Sequence, residues 1–411
     1  MLIHWIWLAT RNGVSDRVRK DLLEHFRDPE DMYYAAEDAF DHLEELTREA
    51  RDALADKDLG EARQILDRCA RSDIHILTYR DAAYPVRLKN IPDPPMVLYY
   101  RGNLPDCDAS PLIGVVGTRK ASAYGLGVAK RMGYQIAKCG GTVVSGMASG
   151  IDSAAMQAAL TAGGCVIGVL GCGVDVVYPQ SNRGLYADAE RYGCLISEFP
   201  PGSPPEGWHF PKRNRIISGI SCGTLVVEAP LGSGSLITAQ SAADQGRDVF
   251  VVPGNIDVST FVGSNRLIRE GATLVTTGWE IMEEYEAQYP DKIIREERAA
   301  KQAGYPDEAA KTNEIGERPE RSAKKRKASA GNEEKSIDNS GSAPYSDVNK
   351  PKPALSETEQ RIVDALTGSP RLVDDVIAET GLPTAGVLST LTMLEIRGIL
   401  VRHPGKRISL K

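Results

Sequence analysis

The sequence predicts an α/β fold, in which a small helical domain precedes a mostly parallel β-sheet core and a winged-helix domain follows it. Three observations predict this arrangement. Residues 1–73 carry apolar side chains at helical spacing, residues 74–285 alternate short apolar runs with helical stretches, and residues 355–411 read as helices followed by a hairpin. The 411 residues suffice for two or three domains, and no apolar run of about 18 residues predicts a membrane span.

The first 73 residues are predicted to form a small helical domain similar to SAM or helix-hairpin-helix folds. Two apolar stripes at helical spacing support it: Val18, Leu22, Leu23 and Phe26, then Leu59, Ala62, Ile65, Leu66 and Cys69. The apolar segment from Met1 to Thr10 has neither a basic start nor a cleavage site, so we expect the first strand or helix of a domain. With 11 Lys and Arg against 18 Asp and Glu, the domain has a net charge of −7, which favours a packing or interaction role.

Residues 74–285 are predicted to form a Rossmann-like sheet with helices on both faces. Strands are expected at Ile74–Tyr79, Val97–Tyr100, Leu112–Val116, Gly141–Val144, Cys165–Leu170, Cys194–Ser197, Gly223–Val227, Asp248–Val252 and Thr273–Val275. Helices are expected between several of them, at Gly125–Lys138, Ser153–Ala162 and Ser235–Gln245. In such sheets the ligand site lies at the carboxyl ends of the strands. This segment carries 17 basic and 18 acidic residues, so a nucleic-acid site within it must be a local cluster.

Residues 286–354 are predicted to be a disordered linker, and residues 355–411 a winged helix. The linker has almost no aliphatic residues and contains a basic run, Lys324–Lys327, for which solvation is the favoured interpretation over nucleic-acid contact. In the tail, Ser356 is expected to cap a first helix, a second ends at Gly381, and a third runs over residues 384–397 before a hairpin over 399–410. The third helix offers one basic side chain, so protein contact is favoured over duplex binding through the wing residues Arg402, Lys406 and Arg407.

Two segments in the core predict anion sites at strand ends. In the first, a buried strand ends in Gly117, Thr118 and Arg119, which offer close backbone approach, a hydroxyl and a planar guanidinium fork. In the second, a strand runs through glycines and serines into a helix, and its candidate binding residues are Ser145, Gly146, Ser149 and Gly150. Asp152 follows at the helix start, where we expect it to act as a cap and not as a base.

Two further segments extend the predicted site. Aromatic rings and basic groups adjoin in Trp208–Arg215, where cations can neutralise phosphates and a ring can stack on a base. Its candidate binding residues are Phe210, Lys212, Arg213, Asn214 and Arg215. A last glycine and serine loop precedes a helix and contributes Gly232, Ser233, Gly234 and Ser235, and Asn265 lies beyond it. Three such loops at one sheet edge suit an extended polyanion better than a single small phosphate.

Several common chemistries have no motif in the sequence. There is no Gly-x-Gly-x-x-Gly and no Gly-x-x-x-x-Gly-Lys-Ser/Thr loop, which argues against a dinucleotide cofactor and against ATP hydrolysis. The six histidines show no metal spacing, and none of the seven cysteines forms a Cys-x-x-Cys pair. We therefore expect no catalytic residues, no cofactor and no metal. We expect the cysteines to be structural thiols in a reducing cytoplasm.

With these segments in view, the chain resembles the DNA-processing protein A family, also called Smf. The matching motifs run in order over about 200 residues and comprise Val116–Arg119, Val144–Asp152, Tyr178–Asn182, Phe210–Ile217, Gly234–Ala239, Gly246–Phe250, Pro253–Gly254 and Gly263–Ile268. The resemblance implies a homodimeric recombination mediator that binds and protects single-stranded DNA and loads RecA recombinase on strands coated by single-strand binding protein. It implies roles in natural transformation and DNA repair, no established enzymatic activity, and DNA contacts at Arg119 and residues 210–215.

Two other functions remain open from the residues alone. The same sheet type occurs in phosphoribohydrolases that cleave nucleotides, whose glycine loop ends near a catalytic Glu. Here the loop Pro230–Ser235 is followed by residues without an acid, which counts against that enzyme class. A winged-helix transcription regulator is the third hypothesis, and the nearly uncharged third helix of the tail counts against it.

Overall fold

The computed structural model describes residues 1–40, 43, 46–295, 357–366, 371–382, 387, 390, 391, 394, 399–403 and 407–410. The described residues form two compact units, one on each side of the gap after residue 295. No helix in these ranges has both the length and the apolar character needed to cross a membrane.

The N-terminal region is helical, and its first segment is a helix and not a strand. Its helices are α1 (Leu2–Thr10), α2 (Asp16–His25), α3 (Pro29–Tyr34), α4 (Arg48–Ala55) and α5 (Gly60–Arg71). Side-chain caps set several starts: Ser15 accepts a hydrogen bond from the Val18 amide, and Asp28 does the same for Glu30. The domain boundary predicted at residue 73 stays a prediction, because these helices belong to the same compact unit as the sheet.

A nine-stranded sheet forms the centre of the first unit, with a strand in every predicted run. Its strands are β1 (His75–Thr78), β2 (Val97–Gly102), β3 (Leu112–Val116), β4 (Thr142–Ser145), β5 (Val166–Val169), β6 (Cys194–Ser197), β7 (Gly223–Val226), β8 (Asp248–Val251) and β9 (Thr273–Leu274). The order is β1-β2-β6-β5-β4-β3-β7-β8-β9, with antiparallel pairing only at β1–β2 and β2–β6. The predicted mostly parallel α/β core is confirmed.

Helices cover both faces of this sheet. They are α6 (Val86–Lys89), α7 (Ala123–Lys138), α8 (Ile151–Thr161), α9 (Arg183–Tyr192), α10 (His209–Ile220), α11 (Gly234–Asp244), α12 (Val262–Arg269) and α13 (Gly278–Glu283). The chain builds β4, β5 and β6 on one side of β3, then crosses to build β7 on the other side. The strand order therefore reverses between β3 and β7, and ligands of such sheets bind beside this point.

Residues 286–295, which composition alone assigns to the linker, pack on the core. The Tyr289 and Ile293 side chains are buried, and the Tyr289 hydroxyl accepts a hydrogen bond from Arg87 at 2.6 Å. These side chains supply buried apolar surface, and apolar side chains are rare in the sequence of the rest of the predicted linker. Residues 296–354 lie outside the described ranges.

The second unit has the elements of a winged helix. They are α14 (Glu357–Asp364), β10 (Arg371–Leu372), α15 (Val373–Thr380), β11 (Leu400–His403) and β12 (Arg407–Leu410), with the antiparallel order β10-β12-β11. The helix end predicted at Gly381 is found: α15 runs to Thr380, and Gly381 caps it with a left-handed φ of +60°. Ser356, most of the predicted third helix, and the hairpin tip with Lys406 lie outside the described residues.

Candidate nucleic-acid interface

A pocket of about 440 Å³ opens at the carboxyl ends of β3, β4 and β5. Loops after these strands and the start of α10 form its walls, which is the position that the sheet topology favours. It is lined by Arg119, Gly146, Ala148, Ser149, Leu170, Gly171, Cys172, Tyr178, Pro179, Tyr186, Phe210 and Arg213. Five of the predicted binding residues meet here: Arg119, Gly146, Ser149, Phe210 and Arg213.

A cation and two aromatic rings form the rim of this pocket. The exposed Arg119 guanidinium lies over the Phe210 ring, with 5.0 Å from Cζ to the ring centroid. The Phe210 ring lies 5.5 Å from the Tyr178 ring at an interplanar angle of 34°. The rim therefore places a positive charge next to aromatic rings. A nucleotide can use both, because its phosphate binds the charge while its base stacks on a ring.

The loop after β3 aims Arg119 at the pocket through backbone contacts. The Thr118 amide donates to the Glu228 carbonyl at 2.7 Å, and the Thr118 hydroxyl accepts a hydrogen bond from the Lys120 amide at 3.2 Å. A Cβ at position 117 would lie 2.5 Å from Cγ1 of Ile151, so only glycine fits there. Gly117 and Thr118 thus shape the turn that presents Arg119.

The backbone amides of the loop after β4 bind a carboxylate of the protein, that of Asp152. The Asp152 carboxylate accepts hydrogen bonds from the amides of Gly146 at 3.1 Å and Ala148 at 3.4 Å. Gly150 occupies the N-cap position of α8, so Asp152 ties the loop together and the predicted side-chain cap is corrected. Ser145 donates its hydroxyl to a carbonyl at 2.6 Å and is buried. Ser149 remains at the pocket wall.

Arg213 lies beneath the pocket and bonds to the protein itself. Its side chain donates to the Gly146 carbonyl at 2.7 Å, to the Val169 carbonyl, and to the Asn214 side-chain oxygen at 3.2 Å. Burial lowers the pKa of Arg213, and the nearby Asp152 carboxylate opposes that effect. Only 4% of the residue is exposed, and its hydrogen bonds join β4, β5 and α10, which counts against the predicted role as a phosphate counter-charge; that role stays a prediction.

Lys212 and Arg215 lie on another side of α10 and face carboxylates. Arg215 forms ion pairs with Asp16 at 2.9 Å, Glu198 at 2.8 Å and Asp93 at 3.0 Å. The Lys212 ammonium lies 3.1 Å from Asp16 and 3.2 Å from Glu198. The guanidinium of Arg215 is buried and its charge is neutralised within the protein, which counts against the predicted phosphate contact; that contact stays a prediction.

The glycine and serine loop before α11 flanks the pocket without lining it. Ser233 caps α11 by accepting from the Ser235 amide, and its hydroxyl lies 2.7 Å from that of Ser235. Gly232 and Gly234 are exposed, and the Asn214 amide group donates to the Gly234 carbonyl at 3.2 Å. Asn214 thus connects this loop to α10.

Asn265 supports a neighbouring turn. Its side-chain amide donates to the Gly254 carbonyl at 3.0 Å and accepts from the Gly254 amide at 3.1 Å. Both the oxygen and the nitrogen of the side chain bond to the protein backbone, so Asn265 supports this turn, and the predicted DNA contact stays a prediction.

The pocket wall formed by the loop after β5 was not predicted as part of the site. Tyr178 and Tyr186 belong to it, and the Tyr186 hydroxyl donates to the Tyr178 carbonyl at 2.8 Å. Asn182 fixes this wall to the β4 loop by donating to the Met147 carbonyl at 2.9 Å. The motif Tyr178–Asn182 was a usable signal, because its place after a parallel strand brings it to the same sheet edge.

Two observations limit the chemistry of the described ranges. They contain no group of three or more His, Cys, Asp or Glu side chains placed to hold a metal ion. All seven cysteines are free thiols, and six of them are buried.

Comparisons with known proteins agree with this architecture. The family model for DNA recombination-mediator protein A matches residues 75–286, and that for the DprA winged helix domain matches residues 347–406. Protein Smf of Synechocystis sp. is 32% identical over 98% of this chain and 97% of its own length. DNA processing protein DprA of Bacillus subtilis is 42% identical over 51% of this chain and 71% of its own length.

A solved structure supports the same assignment. The X-ray structure of DNA processing protein A from Streptococcus pneumoniae aligns with a TM-score of 0.61 at 34% identity, covering 69% of this chain and 98% of its own. The chain therefore belongs to the DNA recombination-mediator protein A family, whose members process DNA as mediators of recombination.

Proposed function

We propose that this protein binds single-stranded DNA at the pocket between Arg119 and Phe210. The observation that carries the proposal is the exposed Arg119 guanidinium lying 5.0 Å over the Phe210 ring. Among the described residues, no carboxylate lies within 4.0 Å of Arg119, so its charge is available to a phosphate. Ser149 at the adjacent wall adds a hydroxyl donor.

The aromatic rim of the pocket and the net charge of the core favour a single strand over a duplex. Phe210 can stack only on a base whose face is free, and bases in a duplex have both faces covered. The core has a net charge near zero, with 17 basic and 18 acidic residues between positions 74 and 285, so it offers no broad cationic face for a duplex backbone. We propose that the strand continues past the pocket along the exposed loop at Gly232–Ser235.

Family membership supports the wider role. We propose a cytoplasmic homodimer that protects single strands, interacts with single-strand binding protein, and loads RecA recombinase during natural transformation and repair. A strand-exchange assay tests the loading step: addition of the protein should shorten the lag of RecA on strands coated by single-strand binding protein. An unchanged lag at saturating protein would argue against it.

The binding site itself is tested with Arg119→Ala. Loss of one phosphate contact should lower the slope of log affinity against log salt by about one, measured by fluorescence anisotropy with labelled oligothymidylate. Phe210→Ala should weaken binding by about 1–3 kcal/mol, the value of one base stack, with little change of that slope. Arg131→Ala, which removes an exposed arginine of α7, is the matched control. Equal affinities of all three variants would refute this site.

Among the residues that the structure describes, no Asp or Glu lines the pocket, which counts against the phosphoribohydrolase alternative. The acid nearest the glycine loop is Glu228, which is fully buried and accepts hydrogen bonds from the Ser122 amide and hydroxyl. Its carboxylate is thereby engaged at the N-terminus of α7. Release of free base from nucleoside monophosphates by the purified protein would contradict a purely DNA-binding role.

A further inference from the structure

A second cavity lies where the N-terminal helices meet the sheet domain. It is open to solvent, has a volume of about 510 Å³ including that open space, and is lined by Lys20, Leu23, Glu24, Tyr79, Arg80 and Lys89. The first three residues belong to α2, the next two follow β1, and Lys89 ends α6. The cavity shares no lining residue with the pocket at Arg119 and Phe210.

The charge of this cavity is unbalanced. Three cationic side chains, those of Lys20, Arg80 and Lys89, face one carboxylate, that of Glu24. In the described part of the chain none of the three cations has a carboxylate within 4.0 Å. Residues 1–73 carry a net charge of −7, and of the three cations only Lys20 belongs to them.

Backbone and ring contacts hold the cations around the cavity. Lys20 donates to the Ile91 carbonyl at 3.3 Å, and Arg80 donates to the Leu23 carbonyl at 3.2 Å. The Lys89 ammonium lies 4.8 Å from the centroid of the Tyr79 ring and makes no hydrogen bond to any residue that the structure describes. The Tyr79 hydroxyl is protonated at neutral pH even at its ordinary pKa, and burial raises that pKa further, so the hydroxyl can donate.

Like charges held together repel unless an anion lies between them. A doubly charged oxyanion would reverse the sign of these interactions, and Lys and Arg donors with a phenol match its oxygen atoms. We propose that this cavity is a second, independent phosphate-binding site, which takes either a phosphodiester of a nucleic-acid strand or a free phosphate.

The test begins with binding of inorganic phosphate to the full-length protein, measured by titration calorimetry. Lys89→Gln removes a charge without removing a protein hydrogen bond, and should weaken phosphate binding roughly five-fold at 0.15 M salt. Glu24→Gln removes the one opposing charge and should strengthen binding by a similar factor, a gain that misfolding cannot produce. Lys130→Gln, at an exposed position of α7, should leave binding unchanged.

Oligothymidylate binding then separates the two sources of phosphate. If a strand is the ligand, Lys89→Gln lowers the salt slope for a long oligomer by about one, in addition to the effect of Arg119→Ala. If the ligand is free phosphate, only the calorimetric signal changes. Wild-type affinity for both probes in Lys89→Gln and Glu24→Gln would overturn the second site. Arg119→Ala and Phe210→Ala test the first pocket, whereas Lys89→Gln and Glu24→Gln test the second. Failure of either proposal is therefore recognised separately.

Discussion

Arg215→Met removes the guanidinium that joins three carboxylates and should destabilise the first unit strongly. Methionine preserves most of the side-chain volume and apolar stem, so the change isolates the charge and its hydrogen bonds. The three partners differ in exposure: the side chains of Asp16 and Glu198 are 8% and 5% exposed, whereas that of Asp93 is 45% exposed.

These exposures set the expected size of the effect. The pair with Asp93 is worth about 0–1 kcal/mol, as is usual for an ion pair in contact with water. Removing one partner of a buried pair costs about 3–5 kcal/mol, because the remaining charge keeps its desolvation penalty. Lys212 still faces Asp16 and Glu198 after the substitution, so we expect the lower end, a loss of about 3 kcal/mol in the free energy of unfolding.

Tryptophan fluorescence during urea denaturation measures this loss in the full-length chain. All four tryptophans lie in the first unit, at Trp5, Trp7, Trp208 and Trp279, so the signal does not report on the winged helix. Arg266→Met is the matched control, because Arg266 pairs with Glu270 on an exposed helix surface and should lose no more than about 0.5 kcal/mol. A loss below about 1 kcal/mol for Arg215→Met would refute the structural role, and would return Arg215 to the candidates for direct phosphate contact.

Two further predictions concern the same unit. Burial would raise the pKa of Asp16, but the cations Lys212, Arg215 and Arg19 lower it below its ordinary value. The contribution of Asp16 to stability is therefore present above about pH 4 and is lost as the pH falls through the folded-state pKa. Arg215→Met should therefore move acid unfolding, followed by fluorescence, to higher pH; an unchanged midpoint would contradict the assignment. Gly146→Ala places a methyl group against the Arg213 guanidinium and should cost about 1–3 kcal/mol of stability, whereas Gly127→Ala on α7 meets no atom within 4 Å and should be neutral or stabilising. Equal urea midpoints for the two variants would count against the packing described for Arg213.

The strands could be predicted from the sequence because each is a short apolar run bounded by glycine or polar residues. The strands over Leu112–Val116 and Cys194–Ser197 have the predicted ends. Both are buried along their whole length, so the apolar run in the sequence coincides with the strand. The end of the core was harder to predict. Tyr289 and Ile293 are isolated apolar residues in a polar stretch, and only their contacts with the sheet domain distinguish them from linker residues.

The sequence predicts a site residue well when its position follows from its immediate neighbours. It does not predict whether a basic side chain is neutralised by an acid from a distant part of the chain. Arg119 follows a buried strand and a glycine, which gives its position directly. Phe210 and Arg215 adjoin in sequence, but the side of α10 that each occupies decides its role. One of the three carboxylate partners of Arg215 is Asp16, 199 positions away, and no local pattern reveals that pairing. A basic cluster in sequence therefore does not indicate how many of its charges are free.

The contact between Asp16 and α10 has a practical consequence for fragments of this protein. A fragment that begins at residue 74 keeps Lys212 and Arg215 but lacks Asp16, so the local charge becomes one unit more positive. We expect such a fragment to bind polyanions through groups that the intact chain keeps neutralised, and to do so with a steeper dependence on salt. Affinities measured on an isolated core would then overstate the cationic character of the natural surface. Asp16→Asn in the full-length chain reproduces that loss of charge without removing the helices.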